Sequence, residues 1–293
     1  MFASKNKHPH MAYKNLSDFV QKLQNEGELL TINEFVSTDL EITEITDRIS
    51  KSENNRNKAL LFTNTNTNFP VLINALGSEK RICLALNCNK LDDHKQRIES
   101  IFQKTTSPKI SIQEKLSLVP LATELLSWFP KHTKGKAACQ EVIEKEVDLG
   151  KLPILKCWKH DAGKFITFPM VITQHPETGS RNMGMYRMQV IDKHTTGMHW
   201  HKNKTGENHY EAYKKSEMRM PVSVALGGDP ANIFSTTAPL PENIDEMLLT
   251  GFLRKKPVTL VKCITNNLEV PADADFVLEG YVDPTEEKFL EGP

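Results

Sequence analysis

The first part of the chain alternates short apolar runs with segments whose apolar residues recur at helical spacing. Ser17 can cap a helix that ends at Gly27 and whose apolar residues share one face. A second cap near Ser37 or Thr38 opens another apolar periodic stretch. The pattern predicts helices over residues 17–27, 40–49 and 98–102, and strands at 29–32, 59–62 and 71–74. Together these elements predict a small N-terminal α/β unit.

The pattern changes near residue 130. Apolar helical turns over 103–129 end at Pro130, and the polar residues 132–136 are typical of a linker. Short β-type runs follow at 165–173, 183–191, 221–226, 258–264 and 276–282, with one helix at about 241–253. Many short strands favour a barrel or a sandwich. We therefore predict an α+β chain with a disordered extension (1–10), an N-terminal α/β domain (11–130) and a β-rich domain (131–293).

Composition narrows the function classes. Thirty-seven basic residues against 37 acidic ones give a net charge of zero, so the usual attraction to nucleic acid or to an anionic membrane surface is absent. We expect no nucleic-acid partner. No apolar run is long enough to span a membrane, and the N-terminus lacks a signal core, which favours a cytoplasmic protein. The five cysteines are scattered without a CxxC pair and are predicted to be core thiols.

Polar and ligand-type residues are densest in two neighbouring segments, 181–187 and 195–206. If both are strands, His199, His201 and Asn203 share one face, and Arg187 lies on the partner strand. Such a wall could hold a metal ion, a phosphate or a carboxylate. The alternative is a solvated basic hairpin with incidental histidines, and the spacing alone favours this alternative. The Gly-Gly-Asp-Pro run at 227–230 lacks dinucleotide-loop spacing and is predicted to be a turn.

Several long motifs, which follow one another in a particular order, indicate more about function than the single patterns do. They include Asn-Met-Gly-Met-Tyr-Arg-Met-Gln (182–189), Gly-Met-His-Trp-His (197–201) and Pro-Val-Ser-Val-Ala-Leu-Gly-Gly-Asp-Pro (221–230), followed by segments 253–258, 267–271, 278–284 and 291–293. In this order they resemble the UbiD-type decarboxylases. The resemblance covers nearly the whole chain from Met11 onward.

The resemblance implies a fold, cofactors and a reaction. The family has an N-terminal α/β domain, a split β-barrel that binds flavin, and a C-terminal α/β domain, which we expect to be missing from these 293 residues. Its members use prenylated FMN, a divalent metal such as Mn²⁺ and often K⁺. The implied function is non-oxidative (de)carboxylation of an aromatic or α,β-unsaturated carboxylic acid, as in ubiquinone or menaquinone biosynthesis. The implied partners are a small carboxylic acid substrate, copies of a full-length chain in a homo-oligomer, or a separate C-terminal half.

Site residues follow from the same resemblance. Asn182 and Glu246 match metal ligands, and Arg187 and Glu291 match catalytic residues. The stretches that contact the flavin correspond to Met185, Tyr186, Arg187, His199, Trp200, His201, Lys204 and Thr205.

Two departures from the family pattern leave alternatives open. Asn203 stands where the family has a ligand histidine, with His201 on the same strand face as the alternative ligand, and Pro293 precedes the family's second catalytic acid. The alternatives are an inactive, truncated flavin-binding homologue, half of a split enzyme, and an FMN reductase on a split barrel.

Overall fold

A computed structural model of the chain describes residues 12–53, 55–106, 125–202, 204–240, 244–288 and 290–292. Before residue 107 it contains a three-stranded sheet in the order β1-β2-β3. β1 (Leu29–Ile32) pairs in parallel with β2 (Ala59–Phe62), and β2 pairs antiparallel with β3 (Val71–Ile73). The helices of this part are α1 (Leu16–Asn25), α2 (Glu41–Ser50), α3 (Glu79–Ala85) and α4 (Asp92–Thr106).

The predicted helices and strands of this part are confirmed, but both predicted caps are wrong. Asn15 caps α1, because its Oδ1 accepts the amide of Asp18 at 2.9 Å. α2 begins after Leu40, which has a φ of 68° and makes no side-chain cap. Thr38 instead donates its amide to Asn66 Oδ1 at 2.7 Å. Most of the helical stretch predicted before Pro130 falls at 107–124, outside the described residues, as do residues 1–10.

A four-stranded antiparallel sheet in the order β13-β10-β6-β7 dominates the second part of the chain. Alternate residues of its strands enter two different cores: Met170 and Ile172 face one, while Val171 faces the other. The sheet is therefore buried on both faces. Its strands are β6 (Met170–Gln174), β7 (Arg181–Met185), β10 (Met220–Leu226) and β13 (Phe276–Val282).

Smaller sheets and helices complete this part. One sheet joins β4 (Lys131–His132), β11 (Thr259–Lys262) and β12 (Glu269–Pro271), and another joins β5 (Phe165–Ile166), β8 (Met188–Val190) and β9 (Thr196–Met198). The helices are α5 (Thr205–Lys215), α6 (Pro230–Ser235) and α7 (Glu246–Arg254), with 3₁₀ turns at Ala138–Gln140 and Leu149–Lys151. The fold is thus mixed α+β, as predicted.

Several details in this part differ from the sequence prediction, and the strand predicted over 165–173 is divided into β5 and β6. The strand predicted over 183–191 is divided into β7 and β8 at Tyr186 and Arg187. β9 ends at Met198, so His199 and His201 follow the strand rather than lying on its face. α5 was not predicted. The turn predicted at 227–230 is confirmed, because Gly227 and Gly228 have φ values of 76° and 81°.

One segment links the two parts of the structure. Ile154 packs in the core of the second part, while the next residue, Leu155, packs with Val36 and Ile42 of the first. Asp39 also forms a β-bridge with Lys156. None of the described helices is long and apolar enough to cross a membrane. The predicted division at residue 130 stays a prediction.

Candidate functional site

The carboxylate of Glu291 joins two basic side chains from different places in the chain. Its Oε1 accepts Arg187 Nε at 2.9 Å and Nη2 at 2.7 Å, and its Oε2 lies 3.2 Å from His199 Nδ1. Only 11% of the Glu291 side chain is exposed, whereas Arg187 and His199 are about half exposed. This acid is therefore held by charge-assisted hydrogen bonds on both of its oxygens.

The guanidinium of Arg187 is fixed by further contacts. Its Cζ lies 4.4 Å from the centroid of the Phe165 ring, a cation–π contact. Its Nη2 also donates to the carbonyl of Gly292 at 3.1 Å, and Gly292 donates its amide to Gln189 Oε1. The turn between β7 and β8, which carries Arg187, is thereby tied to the end of the chain that carries Glu291.

Arg187, His199 and Glu291 line a cavity of about 270 Å³. Its other lining residues are Met185, Tyr186, His201 and Gly292. The His199 and His201 rings lie beside it with centroids 4.3 Å apart, tilted by 53° relative to each other. His199 and Glu291 also line a much larger groove, of about 2580 Å³, that runs between the two parts of the structure. The Glu291–His199 contact therefore stands at the border between the small cavity and the groove.

Two aromatic rings and the start of α5 pack behind this cavity. Tyr186 is buried and lies 4.9 Å from Trp200 between ring centroids. Its hydroxyl accepts the amide of Gly206 at 3.1 Å. A Cβ at Gly206 would come within 2.5 Å of Trp200 Cζ3, so only glycine allows this approach. Lys204 and Thr205 begin the same helix, with Lys204 at the N-cap.

Asn182 lies deeper, on β7, in a buried polar cluster. Its Nδ2 donates to Thr173 Oγ1 and to the Tyr186 hydroxyl, both at 3.5 Å. Thr173 Oγ1 also lies 2.9 Å from His209 Nδ1, on α5. Burial, with a smaller effect of nearby His175, lowers the pKa of His209 to about 4, so this imidazole is neutral at pH 7. With Nδ2 used as a donor in this way, the Asn182 Oδ1 is left available as a ligand.

Glu246 approaches β7 from the first turn of α7. Its Oε2 accepts a hydrogen bond from the backbone amide of Met183 at 2.9 Å. Met183 directly follows Asn182 in the chain. Burial raises the pKa of the Glu246 carboxyl, although the hydrogen bond from Met183 opposes the shift. Burial also raises the pKa of Tyr186, and the charge of Glu246 adds to that shift. Asn182 and Glu246 therefore both lie close to Tyr186.

The structure brings together most of the residues singled out from the sequence. Five of the eight predicted flavin contacts line the same small cavity, Trp200 packs on Tyr186, and Lys204 and Thr205 begin the helix behind it. Asn203 lies outside the described residues. Within the part of the chain that the structure describes, no group of three or more His, Cys, Asp or Glu side chains is arranged to hold a metal ion.

Some supporting residues were missed from the sequence. His209, Tyr210 and Tyr213 lie on α5, and their spacing is that of the inner face of a helix. Glu207 in the first turn of α5 and Lys214 in its last fit the helix dipole. These signals could have revealed α5 and its buried histidine. The partnership of His209 with Thr173 has no comparable signal in the sequence.

Comparison with family models decides where the chain belongs. The model of the 3-octaprenyl-4-hydroxybenzoate carboxy-lyase Rift-related domain, named UbiD, matches residues 131–293. The chain belongs to the UbiD family. The model of the N-terminal domain of the same carboxy-lyase family, UbiD_N, matches residues 20–101.

Individual proteins and solved structures also match most of the chain. An uncharacterized protein from Archaeoglobus fulgidus is 44% identical over 285 residues, which are 97% of this chain and 57% of the relative. Vanillic acid decarboxylase from Sedimentibacter hydroxybenzoicus, in closed form, matches with a TM-score of 0.78 and 24% identity over 93% of this chain and 56% of that one. An evolved dimeric form of the UbiD-class enzyme HmfF from Pelotomaculum thermopropionicum, in complex with prFMN, matches with a TM-score of 0.75 and 23% identity over 93% and 58%.

At these identities the solved structures establish a UbiD-like fold. The chain spans about half the length of the relatives it matches.

Proposed function

We propose that this chain carries the flavin site of a UbiD-type enzyme that decarboxylates an aromatic or α,β-unsaturated carboxylic acid without net oxidation. The observation that carries the proposal is the pairing of Arg187 with Glu291 at the edge of the small cavity. An arginine that can bind a substrate carboxylate and an acid that can exchange a proton are the groups that such a reaction needs from the protein. The prFMN complex of HmfF and the vanillic acid decarboxylase supply the analogy.

The residues present fit a divalent metal beside the flavin phosphate. Asn182 Oδ1 and the second oxygen of Glu246 are hard oxygen donors, which Mn²⁺ and Mg²⁺ accept. Asn182 uses its Nδ2 for Thr173 and Tyr186, and Glu246 uses Oε2 for Met183, so one oxygen of each side chain is left for a metal. The third protein ligand would be Asn203 or His201, and a K⁺ ion would be a further occupant.

The flavin contacts fit the same picture. Met185, Tyr186, Arg187, His199 and His201 would hold the cofactor along the small cavity, with Trp200 behind Tyr186. Lys204 and Thr205, at the positive end of the α5 dipole, would lie toward the phosphate. When bound, prenylated FMN would supply the electron sink that loss of carbon dioxide requires.

The side chains of this chain then have separate tasks. Arg187 would bind the substrate carboxylate through its fork of N–H donors, which Glu291 occupies in the free protein. Glu291 would give up that contact, take up a proton from solvent and pass it into the relay that protonates the carbon that loses carbon dioxide. His199, 3.2 Å from Glu291, would hold the carboxyl in place during the exchange.

The wider assignments belong to the same proposal. The strands of the second part would form the family's split β-barrel, and the substrate would be a ring carboxylate such as a precursor of ubiquinone or menaquinone. The family's C-terminal domain, on the same chain or as a separate half, would cover the groove, and the complete protein would form homo-oligomers. Because the chain spans little more than half of its relatives, all of these are proposals.

The test is to co-express the chain with an enzyme that makes prenylated FMN, purify it, and record visible absorption and metal content. We expect bound flavin with about one equivalent of divalent metal, and loss of the metal in Asn182→Leu. Arg219→Met, which removes an exposed ion pair with Asp283, is the matched control. A colourless, metal-free protein would overturn the proposal. Bound flavin without turnover of any ring carboxylate would favour the inactive homologue or half-enzyme.

A further inference from the structure

An ion pair flanks the two oxygen donors proposed for the metal. Arg181 immediately precedes Asn182 on β7, and Asp245 immediately precedes Glu246 at the start of α7. Arg181 Nη2 and Nε donate to Asp245 Oδ2 at 2.7 and 3.0 Å. The pair therefore joins the same strand and helix that carry Asn182 and Glu246, one residue before each of them.

Asp245 uses its two oxygens for different purposes. Oδ1 accepts the amide of Met247 at 2.8 Å and so caps α7, while Oδ2 binds Arg181. The same carboxylate thus fixes where the helix begins and where that beginning lies on β7. The side chains of Arg181 and Asp245 are 17% and 21% exposed, so solvent screens the pair less than it screens a typical surface ion pair.

A second acid holds the arginine from the other side. Arg181 Nη1 lies 3.4 Å from Glu269 Oε2 on β12, and Glu269 Oε1 lies 2.8 Å from His132 Nδ1 on β4. The guanidinium is therefore fixed between α7 and the small sheet of β4, β11 and β12. This arrangement restricts the positions that Asp245 can take relative to β7.

A second contact joins the same two elements, from the residue two positions after Arg181 on β7 to the residue after Asp245 on α7. β7 is the edge strand of its sheet, and the Met183 amide donates to Glu246 Oε2 at 2.9 Å. Arg181–Asp245 and Met183–Glu246 are thus two successive connections between β7 and α7, with Asn182 between them along the strand. Releasing the first would let the start of α7 move away from the strand and would lengthen the second.

We propose that Arg181 and Asp245 are positioning residues whose ion pair sets the distance between Asn182 and Glu246. The link to a metal rests on the proposed function; the link to the Met183–Glu246 hydrogen bond does not. Neither residue is expected to touch the metal or the substrate. Their effect on both would pass through the position of α7.

The first experiment follows amide hydrogen exchange at Met183 in the metal-free chain. Arg181→Met should speed exchange at Met183 at least tenfold, with amides of the central strand β6 unchanged. Asp245→Asn should do the same while keeping the helix cap, because asparagine also caps helices well. Arg181→Lys, which keeps the charge, should restore part of the protection. Unchanged exchange at Met183 in Arg181→Met would overturn the proposal.

The second experiment titrates the chain with Mn²⁺ in the presence of FMN and follows free Mn²⁺ by electron paramagnetic resonance. We expect at least tenfold weaker binding in Arg181→Met, partial rescue by Arg181→Lys, and no change in Arg219→Met. The double variant Arg181→Met/Asp245→Asn should bind no more weakly than the worse single variant, because Arg181→Met already removes the ion pair that Asp245→Asn weakens.

The two experiments separate the possible failures. If Met183 exchange responds but Mn²⁺ affinity does not, the ion pair does not set the ligand distance and the proposal is wrong. If the unaltered chain binds no Mn²⁺, the proposed metal site fails and the Mn²⁺ titration no longer tests the ion pair. The exchange result then still decides whether the pair holds α7 on β7.

Discussion

At the scale of single residues, the site is built around acids and bases that neutralise one another before any ligand binds. Glu291 forms an ion pair with Arg187 and contacts His199, and Arg181 forms an ion pair with Asp245. When a ligand anion displaces a carboxylate side chain from its arginine, that side chain loses its ion pair and must take up a proton or bind a new partner. In this site the freed acid is Glu291, which is why a proton-transfer role suits it.

A substitution at Glu291 that keeps the size of the side chain tests the role of its charge and its proton. Glu291→Gln keeps the size of the side chain but can neither carry charge nor deliver a carboxyl proton. We expect decarboxylation by the flavin-loaded enzyme to fall by about 10²–10⁴, the usual contribution of general acid catalysis. Flavin absorbance should be retained. Glu211→Gln, on the exposed face of α5, is the control; equal losses in both variants would argue against a role for Glu291.

The buried histidine of α5 makes stability depend on pH. The pKa of His209 falls to about 4 in the folded chain from an ordinary value of 6.5. Between these values the unfolded chain binds more protons, so this contribution to stability is complete above pH 6.5 and is lost as the pH falls toward 4. The loss is on the order of 3 kcal/mol.

The measurement compares urea unfolding of the unaltered chain with that of His209→Gln at pH 7, 5.5 and 4.5. The difference between the two free energies of unfolding should shrink as the pH falls. Asp229 acts in the opposite direction, because burial raises its pKa to about 6. Its effect is common to both proteins and cancels in the difference. A difference independent of pH would show that His209 titrates normally.

At the scale of elements, α7 is held between β7 and the chain before β4. A Cβ added at Gly251 would lie 2.6 Å from Trp128 Cα and 2.7 Å from its carbonyl carbon, and closer still to the carbonyl oxygen. Backbone cannot swing aside as a side chain can. Gly251→Ala gains about 1 kcal/mol of helix propensity, but the overpacking costs about 1–3 kcal/mol.

We therefore expect Gly251→Ala to lower the free energy of unfolding, and to loosen the contact of Glu246 with Met183 because α7 must shift. Chemical denaturation and Met183 amide exchange measure the two effects. Gly280→Ala on β13 is the control, since its added Cβ would meet nothing within 4 Å. A more stable Gly251→Ala protein would mean that the segment around Trp128 yields easily.

Much of the element order could be predicted because local signals dominate there. β13 matches its predicted limits, and β1, β2 and α7 are present where apolar periodicity placed them. The caps failed because several residues before α1 and α2 could serve as caps, and only tertiary contacts such as Thr38 with Asn66 choose among them. α5 was missed because the ligand-type residues before it, at 195–206, are also typical of an extended hairpin.

The site could be predicted only in part for a different reason. Arg187 and Glu291 are 104 residues apart, and the contact of Met183 with Glu246 spans 63. Spacing within an element cannot reveal such pairs; the family resemblance named Arg187, Glu291 and Glu246 as site residues but predicted neither contact. Neither the spacing nor the resemblance predicted the contacts of Arg181 with Asp245 and of Thr173 with His209. The contacts that orient the proposed metal ligands could therefore be found only from the structure.

At the scale of the whole molecule, the two parts share contacts at two separate places. Leu155 inserts into the core formed by Val36 and Ile42, and Leu86 packs with Phe252 and Leu253 of α7. Arg97 Nη1 also donates to the carbonyl of Phe252 at 2.7 Å. The groove that His199 and Glu291 border lies between these parts. Its width therefore depends on both sets of contacts.

This linkage predicts that the two parts unfold together. Leu155 is buried, and Leu155→Ala should cost about 2–5 kcal/mol, as large-to-small core changes do. Because Ile154 beside it packs in the other core, the loss should lower a single calorimetric transition instead of splitting off an early one. Leu30→Ala, at a side chain on β1 that is 46% exposed, is the matched control and should change little. Two resolved transitions in the unaltered chain would show instead that the parts fold independently, and the groove between them would then be free to open without disturbing either core.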